Sequence, residues 1–204
     1  MTLEKHLSKF LKRHAGPTWQ SQRYVVAVSG GLDSSVCLHG LASLVPNLIV
    51  AHFDHQVRKT SKKDADFVRS LSRSRGLKFV LGQRTGTRTS EEALRTERLA
   101  FLHDVQQKEK ATFIITAHHF DDQLETFFMR SLRGTGLKGL TGMKAKHGVL
   151  LKPLLSVSRR ELTAYAERHK IRFCDDETNR SECYFRNEVR LKLLPVWFEL
   201  SRHH

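Results

Sequence analysis

Tyr24-Val25-Val26-Ala27-Val28, followed at once by Ser29-Gly30-Gly31-Leu32-Asp33-Ser34, is the stretch on which the reading of this chain turns. The apolar run reads as a β-strand that stops at two glycines and opens into a helix near Ser34. Glycine has no Cβ, so the backbone there can approach an anion and adopt dihedrals other residues avoid. The first N–H groups of the helix are unpaired and its dipole end is positive, which favours a bound phosphate. Ser29 and Ser34 add hydroxyls, and Asp33 puts a carboxylate where a magnesium ion bridging phosphates would sit. An ordinary glycine turn capped by Asp33 or Ser34 is the plainer alternative. Strand, glycine pair and helix in this order favour the phosphate site. The candidate nucleotide-binding set is therefore Ser29, Gly30, Gly31, Leu32, Asp33 and Ser34, with Asp33 also the candidate metal ligand. The other common nucleotide loop, G-x-x-x-x-G-K-[ST], is absent.

Strand-like and helix-like segments alternate along the chain. Leu48–Phe53, Phe79–Leu81 and Thr112–Thr116 read as further strands, and Ser61–Arg75 and Ser90–Lys110 have helical periodicity. Ser90 supplies a cap and Glu91 and Glu92 suit a helix's first turn. Repeated β-α-β units predict an α/β fold, a parallel sheet with helices on both faces and ligands beyond the strands' carboxyl ends. Met1–His14 reads as a short amphipathic helix, and Arg84–Ser90 and Arg133–Gly148 as polar loops. Gly134-Thr135-Gly136-Leu137-Lys138-Gly139 matches G-x-G-x-x-G but follows a helix rather than a strand, so it is not read as a dinucleotide fingerprint. Beside Arg130, Arg133 and Lys138 it reads better as a phosphate-friendly loop.

Composition narrows the class. The 204 residues suit one domain with a small appendage, and the hydrophobic fraction of 39% against 27% charged describes a soluble globular protein. No apolar run is long enough to span a bilayer, and the charged N-terminal segment lacks a secretory h-region. Cys37, Cys174 and Cys183 contain no C-x-x-C pair, which fits a reducing cytoplasm and offers no zinc or iron–sulfur site. Lys and Arg number 35 against 21 Asp and Glu, a net charge of +14 that favours a polyanionic partner, nucleic acid above all.

Chemistry-bearing residues cluster after the strands. Thr116-Ala117-His118-His119-Phe120-Asp121-Asp122-Gln123-Leu124-Glu125-Thr126 starts at a strand end and enters a helix. Asp122 and Glu125, three apart, share a helical face and could hold a metal or an amine. Acidic residues offsetting the helix dipole would explain either alone; the combination with His118 and His119 at a sheet edge marks a site. His52, Asp54, His55 and Arg58 follow the second strand and could contact nucleotide or metal. Arg95 and Arg98 are candidates for stabilising charge on a displaced phosphate.

These blocks together resemble the catalytic domain of the tRNA(Ile)-lysidine synthetase family of pyrophosphatase-loop (PP-loop) ATPases. The resemblance runs from about Tyr24 to Pro195: S-G-G-L-D-S at Ser29, H-F-D-H-Q-V-R at His52, L-R-T-E-R-L-A-F-L at Leu94, the block from Thr116, R-G-T-G-L-K-G-L at Arg133 and K-P-L-L-S-V-S-R at Lys152. Asp176-Glu177-Thr178-Asn179, then Arg186-Asn187 and Arg190, are also similar. It implies a Rossmann-like, adenine nucleotide alpha hydrolase-like fold. It further implies an enzyme that uses ATP and Mg²⁺ to adenylate the wobble cytidine of tRNA(Ile) with a CAU anticodon. L-lysine then displaces AMP to give lysidine. By the same resemblance Asp33 holds magnesium, Arg95 or Arg98 steadies the adenylate and Asp122 and Glu125 hold lysine. His52 and His55 join the nucleotide set, and His118, His119, Arg133 and Lys138 the tRNA and lysine set.

Lys152 departs from the family's usual Arg, and the chain is shorter than the family's norm. The expected organisation is a helix over 1–20, the PP-loop catalytic domain over 21–170 and a helical extension over 171–204 of the same domain. Rival readings are a thiolase-like tRNA modifier of the same loop class, weakened by the missing C-x-x-C, a catalytically silent tRNA-binding module and a small-molecule amidotransferase ligase.

Overall fold

The computed structural model describes residues 2–56, 61–86, 90–174 and 185–201, except the side chains of Glu91, Lys138 and Ser201. Arg58, the block at 176–179 and Cys183 lie outside the described residues. The organising element is strand β1 (Tyr24–Ala27). It pairs in parallel with β2 (Leu48–Asp54) on one side and β4 (Phe113–Ile115) on the other, with Val25 opposite both Ile49 and Ile114. With β3 (Lys78–Gln83), β5 (Lys146–His147) and β6 (Leu150–Leu151), the described sheet runs β3-β2-β1-β4-β6-β5. Every pairing is parallel except β5 with β6.

Strand alternation decides which helix covers which face. Tyr24, Val26, Leu48, Val50 and Ile115 point into a larger core. Facing them are α1 (Leu3–Ala15), α2 (Leu32–Ala42), α3 (Ser61–Arg73) and α7 (Arg159–Arg168). Val25, Ile49, Ala51 and Ile114 point the other way and meet Leu102 and Val105 of α4 (Glu91–Lys108). Burial on both faces explains why β1 and β2 read as unbroken apolar runs rather than alternating ones. Helix α1 puts Leu3, Leu7 and Leu11, spaced by four, into the larger core. A Cβ on Gly40 of α2 would stand 2.7 Å from Leu7 Cδ1, so the two helices pack this closely only because position 40 has no side chain. The Tyr165 hydroxyl of α7 donates to Glu4 of α1.

Sequence and structure differ in instructive places. Helix α2 begins at Leu32 rather than Ser34, because Gly31 takes the extended N-cap conformation. The segment read as a loop over 133–148 folds a short helix, α6 (Leu137–Leu140), and strand β5. Both are too brief to leave a periodic signal. Beyond α7 the described chain resumes in α8 (Phe185–Glu188), a π-helical turn (Val189–Leu193) and α9 (Leu194–Ser201). Among the described residues no helix is long and apolar enough to cross a membrane.

The chain runs outward from β1 to β2 and β3, then returns to β4 on the opposite side of β1. That reversal opens a crevice beyond the carboxyl ends of β1 and β4, where open α/β sheets bind ligands. The loops from Ser29 and Thr116 both end there.

The packing of α1 generates a stability prediction. Leu7 is fully buried, so Leu7→Ala should lower the free energy of unfolding by about 2–5 kcal/mol in urea denaturation. A loss under about 1 kcal/mol would mean that α1 is not part of the core.

Candidate active site

The loop after β1 is built by its own hydroxyls. Ser34 Oγ donates to the Gly31 carbonyl at 3.1 Å and accepts from the Ser29 N–H at 3.2 Å. The Gly31 N–H donates to Ser29 Oγ at 3.3 Å, and Ser35 Oγ donates to the Gly30 carbonyl at 3.3 Å. Gly30 sits at φ +97°, a conformation L side chains rarely adopt, with Val68 against the place a Cβ would occupy. The Gly30 carbonyl also accepts from the Cys174 N–H at 2.9 Å, so the segment after α7 closes over the loop. His52 is buried, and its Nδ1–H donates to the Val28 carbonyl at 2.8 Å. It braces the strand that carries the loop.

Opposite this loop, His119 caps α5 (Phe120–Leu132). Its backbone N–H donates to Asp122 Oδ2 at 2.9 Å, satisfying the helix end. Its ring stands between carboxylates: Nε2 is 3.5 Å from Asp33 Oδ2 and 3.7 Å from Asp122 Oδ2, and Nδ1 is 3.5 Å from Asp121 Oδ2. Burial works against a charged imidazole, but Asp121, Asp33 and Asp122 outweigh it and push His119 up to about 10. His119 is therefore a cation at neutral pH, held between the glycine loop and the helix. Its neighbour His118 is the reverse. Burial first, with Arg98, Arg186 and Lys152 adding repulsion, drives it down to about 3 despite Asp122. The neutral His118 shares a 2.9 Å hydrogen bond with Thr116 Oγ1.

Asp122 and Glu125 do share one buried face of α5, and both are already paired. Arg186 donates through Nε to Glu125 Oε2 at 2.6 Å and through Nη2 to Asp122 Oδ1 at 2.7 Å. Arg190 donates through Nε to Glu125 Oε1 at 2.5 Å, with its Nη2 3.8 Å from Asp122 Oδ1. Burial raises the Asp122 carboxyl, yet His119 and Arg186 override it and hold it below the ordinary value. Sequence reasoning assigned Arg186 and Arg190 no role. The resemblance quoted both residues without a role; the signal for one was their i, i+4 spacing opposite two buried acids, visible only once α8 packs on α5.

Other expected residues take more distant or indirect places. Arg98 faces His118 and His55 closely enough to lower both imidazoles, and burial, then Arg95, lowers the buried Lys152. His55 lies edge-on to Phe53 with ring centroids 4.9 Å apart; burial and then Arg98 push it down to about 4. Asp54 accepts from the Gln56 N–H at 2.8 Å, a local turn contact rather than a ligand set. Arg133 follows the last residue of α5, about 20 Å along the helix from His119. Its guanidinium covers Phe185 at 5.3 Å. The structure does not bring Arg133 into the cluster around Asp33. Lys138 has no described side chain, though its loop is tied to α5: Gln123 Nε2 donates to the Met143 carbonyl at 2.8 Å and Arg130 Nη1 to that of Gly139 at 2.7 Å.

Beneath His119 lies a cavity of about 130 Å³ lined by Asp121, Glu125, Arg159, Arg190, Leu194 and Phe198, among others. The sequence singled out neither Arg159 nor the α9 side chains. Asp121 Oδ2 accepts from the Arg159 N–H at 2.8 Å, locking the start of α7 to the start of α5 beside this cavity.

Asp33 fits magnesium. Its Oδ1 is buried without a hydrogen-bond partner, an oxygen left over by the protein's own contacts. Among the described residues no group of three or more His, Cys, Asp and Glu could enclose a metal. A single carboxylate suits an ion that takes its remaining ligands from water and substrate phosphates.

Comparison with known proteins places the chain in a family. A tRNA(Ile)-lysidine synthase of Thermosipho africanus is 35% identical over 193 residues, covering 89% of this chain and 45% of that protein. One of Exiguobacterium sibiricum is 36% identical over 180 residues, covering 86% and 44%. The chain thus spans less than half the length of either relative. Among solved structures, the U34-tRNA thiolase NcsA of Methanococcus maripaludis, with its [4Fe-4S] cluster, superposes with a TM-score of 0.78 at 20% identity. That match covers 98% of this chain and 74% of that one. An NH3-dependent NAD synthetase of Campylobacter jejuni superposes at 0.59 and 18% identity, covering 100% and 88%. At these identities the two structures share the fold. The sequence pattern of the PP-loop domain matches residues 1–197, and with the glycine loop at the sheet's reversal point, this chain belongs to the PP-loop domain family.

Proposed function

We propose that this chain is the catalytic unit of an enzyme that uses ATP to join lysine to the wobble cytidine of a tRNA(Ile) with a CAU anticodon, in the cytoplasm. The observation that carries this reading is the similarity to tRNA(Ile)-lysidine synthases over nearly nine-tenths of the chain. The site's chemistry supports it. The loop from Ser29 to Ser34 offers backbone N–H groups and hydroxyls to the β- and γ-phosphates of ATP, and His119 adds positive charge beside them. The 2-carbonyl oxygen of the cytidine attacks the α-phosphorus and pyrophosphate leaves. Arg95 and Arg98 neutralise charge on the adenylated base. Lysine's amine then bonds to C2, its C–O bond to AMP breaks, and the amine's proton passes to solvent.

Magnesium bound at Asp33 would neutralise the phosphate oxygens as pyrophosphate departs. Glu125, which opens on the cavity, with Asp122 behind it, holds the amine end of lysine. Neutral His118 offers a hydrogen bond to the base without adding charge, and His52 and His55 flank the nucleotide. Arg133, Lys138 and the positive surface of the chain, net +14, hold the tRNA backbone.

The decisive assay supplies labelled lysine, ATP, magnesium and unmodified tRNA(Ile) with a CAU anticodon. Lysine should enter the tRNA and stop entering when the wobble cytidine is replaced. AMP release that needs tRNA but transfers no lysine would replace this reading with another PP-loop modification, such as thiolation. Tight tRNA binding without ATP cleavage would replace it with a silent binding module.

Two substitutions separate the roles. Asp33→Asn should cut tRNA-dependent AMP release by about 100-fold or more, and near-normal turnover would remove Asp33 from the phosphate chemistry. Glu125→Ala should cost on the order of 3 kcal/mol in urea denaturation, because Arg186 and Arg190 lose their shared partner. Glu125→Gln, which keeps the shape and one acceptor oxygen, should cost less while still raising the KM for lysine. Equal, negligible stability losses in both would show that the ion cluster does not hold the terminal helix.

A further inference from the structure

The cavity beneath His119 has a lining that sorts by charge. At about 130 Å³ it is well below the size of sites that take nucleotide-sized ligands. Two carboxylates, Asp121 and Glu125, face it, and Leu194 and Phe198 supply apolar wall. Of its two guanidiniums, that of Arg190 is committed to Glu125. That of Arg159 has no ion pair or hydrogen bond among the described residues, while its backbone N–H is fixed by Asp121. Such a lining fits a small ligand with two amines, an aliphatic stem and one carboxylate. Each carboxylate oxygen can accept more than one bond, so Glu125 keeps capacity beside its arginines. An uncommitted guanidinium matches a carboxylate through two parallel bonds.

We infer that Arg159 is a specificity-determining residue that pairs with the α-carboxylate of the incoming amino acid, so that the site selects free lysine over diamines of the same length. The inference rests on the proposed lysine-transfer reading and deepens it. Leu194 and Phe198 cover the methylenes, and the amine that reacts lies at the His119 end, next to Asp33 and the glycine loop. Arg159 stands at the first residue of α7, whose Ser158–Glu161 capping box holds that position still.

The test compares lysine, lysinamide and 1,5-diaminopentane as acceptors of adenylated tRNA, measured as kcat/KM. The wild-type chain should prefer lysine over 1,5-diaminopentane by about 10- to 100-fold, the worth of a charge-assisted pair. Lysinamide should behave like the diamine. In Arg159→Gln the lysine-to-diamine ratio should fall toward one, and Arg159→Lys should restore part of it. A wild-type chain that uses lysine and the diamine equally overturns the inference, as does an Arg159→Gln variant that keeps the wild-type ratio. A merely structural arginine would depress all three substrates together and leave the ratio in place. If the wild-type chain releases AMP with tRNA yet transfers none of the three amines, the lysine reading itself fails, and the inference falls with it.

Discussion

Two carboxylates with almost no access to water, on a helix whose arginine partners come from some 60 residues further along the chain, set the terms for this molecule. Asp122 and Glu125 are brought inside by α5, and ionised acids there are costly unless paired. Arg186 and Arg190 supply the pairing and, in doing so, fasten α8 and the π-helical turn to α5. The π-turn adds an extra residue to the helical circuit just where Arg190 must face the same acid as Arg186. Once that helix is docked, Leu194 and Phe198 become a wall of the cavity. The acidic face of α5 and the shape of the cavity beneath His119 thus follow from one electrostatic requirement.

The sheet imposes the second constraint. Because β4 returns beside β1, the Ser29 loop and the Thr116–Glu125 segment meet across a single crevice, and His119 spans it. The two adjacent histidines are driven in opposite directions by their surroundings. Carboxylates keep one a cation at neutral pH, and burial among arginines keeps the other neutral. One dipeptide thereby presents a charged ring and a neutral one side by side at the crevice.

How much of this was legible in the residues varies with range. The glycine loop could be read because strand, glycines, serines and aspartate are contiguous, and the histidine–aspartate segment because its histidines and acids cluster at a strand end, with the resemblance of six ordered blocks adding roles to both. Strands β1, β2 and β4 were visible because burial on both faces leaves dense apolar runs. The two-residue strands and α6 were not, since segments so short show no period. The partners of Asp122 and Glu125 stayed hidden for a different reason. A pair of arginines on a terminal helix looks like any solvated charged face until the fold places acids beneath it. Arg159 was quoted only as the end of a motif, and its relation to the cavity depends on where α7 starts against α5. The expectation that paired carboxylates await an amine left out the arginines that already neutralise them.

The hydrogen bond from the Cys174 N–H to the Gly30 carbonyl, together with the arginine pairs at 186 and 190, gives the molecule a direction in time. On the ribosome the sheet, the glycine loop and α5 emerge before the segments that cover the loop and neutralise Glu125. A nascent chain stopped before Phe185 carries Glu125 and Asp122 without their arginine partners, and such a core favours a protonated, uncharged Glu125 or a loosened helix α5. The glycine loop is therefore assembled before the arginines that complete the electrostatics around Asp122 and Glu125.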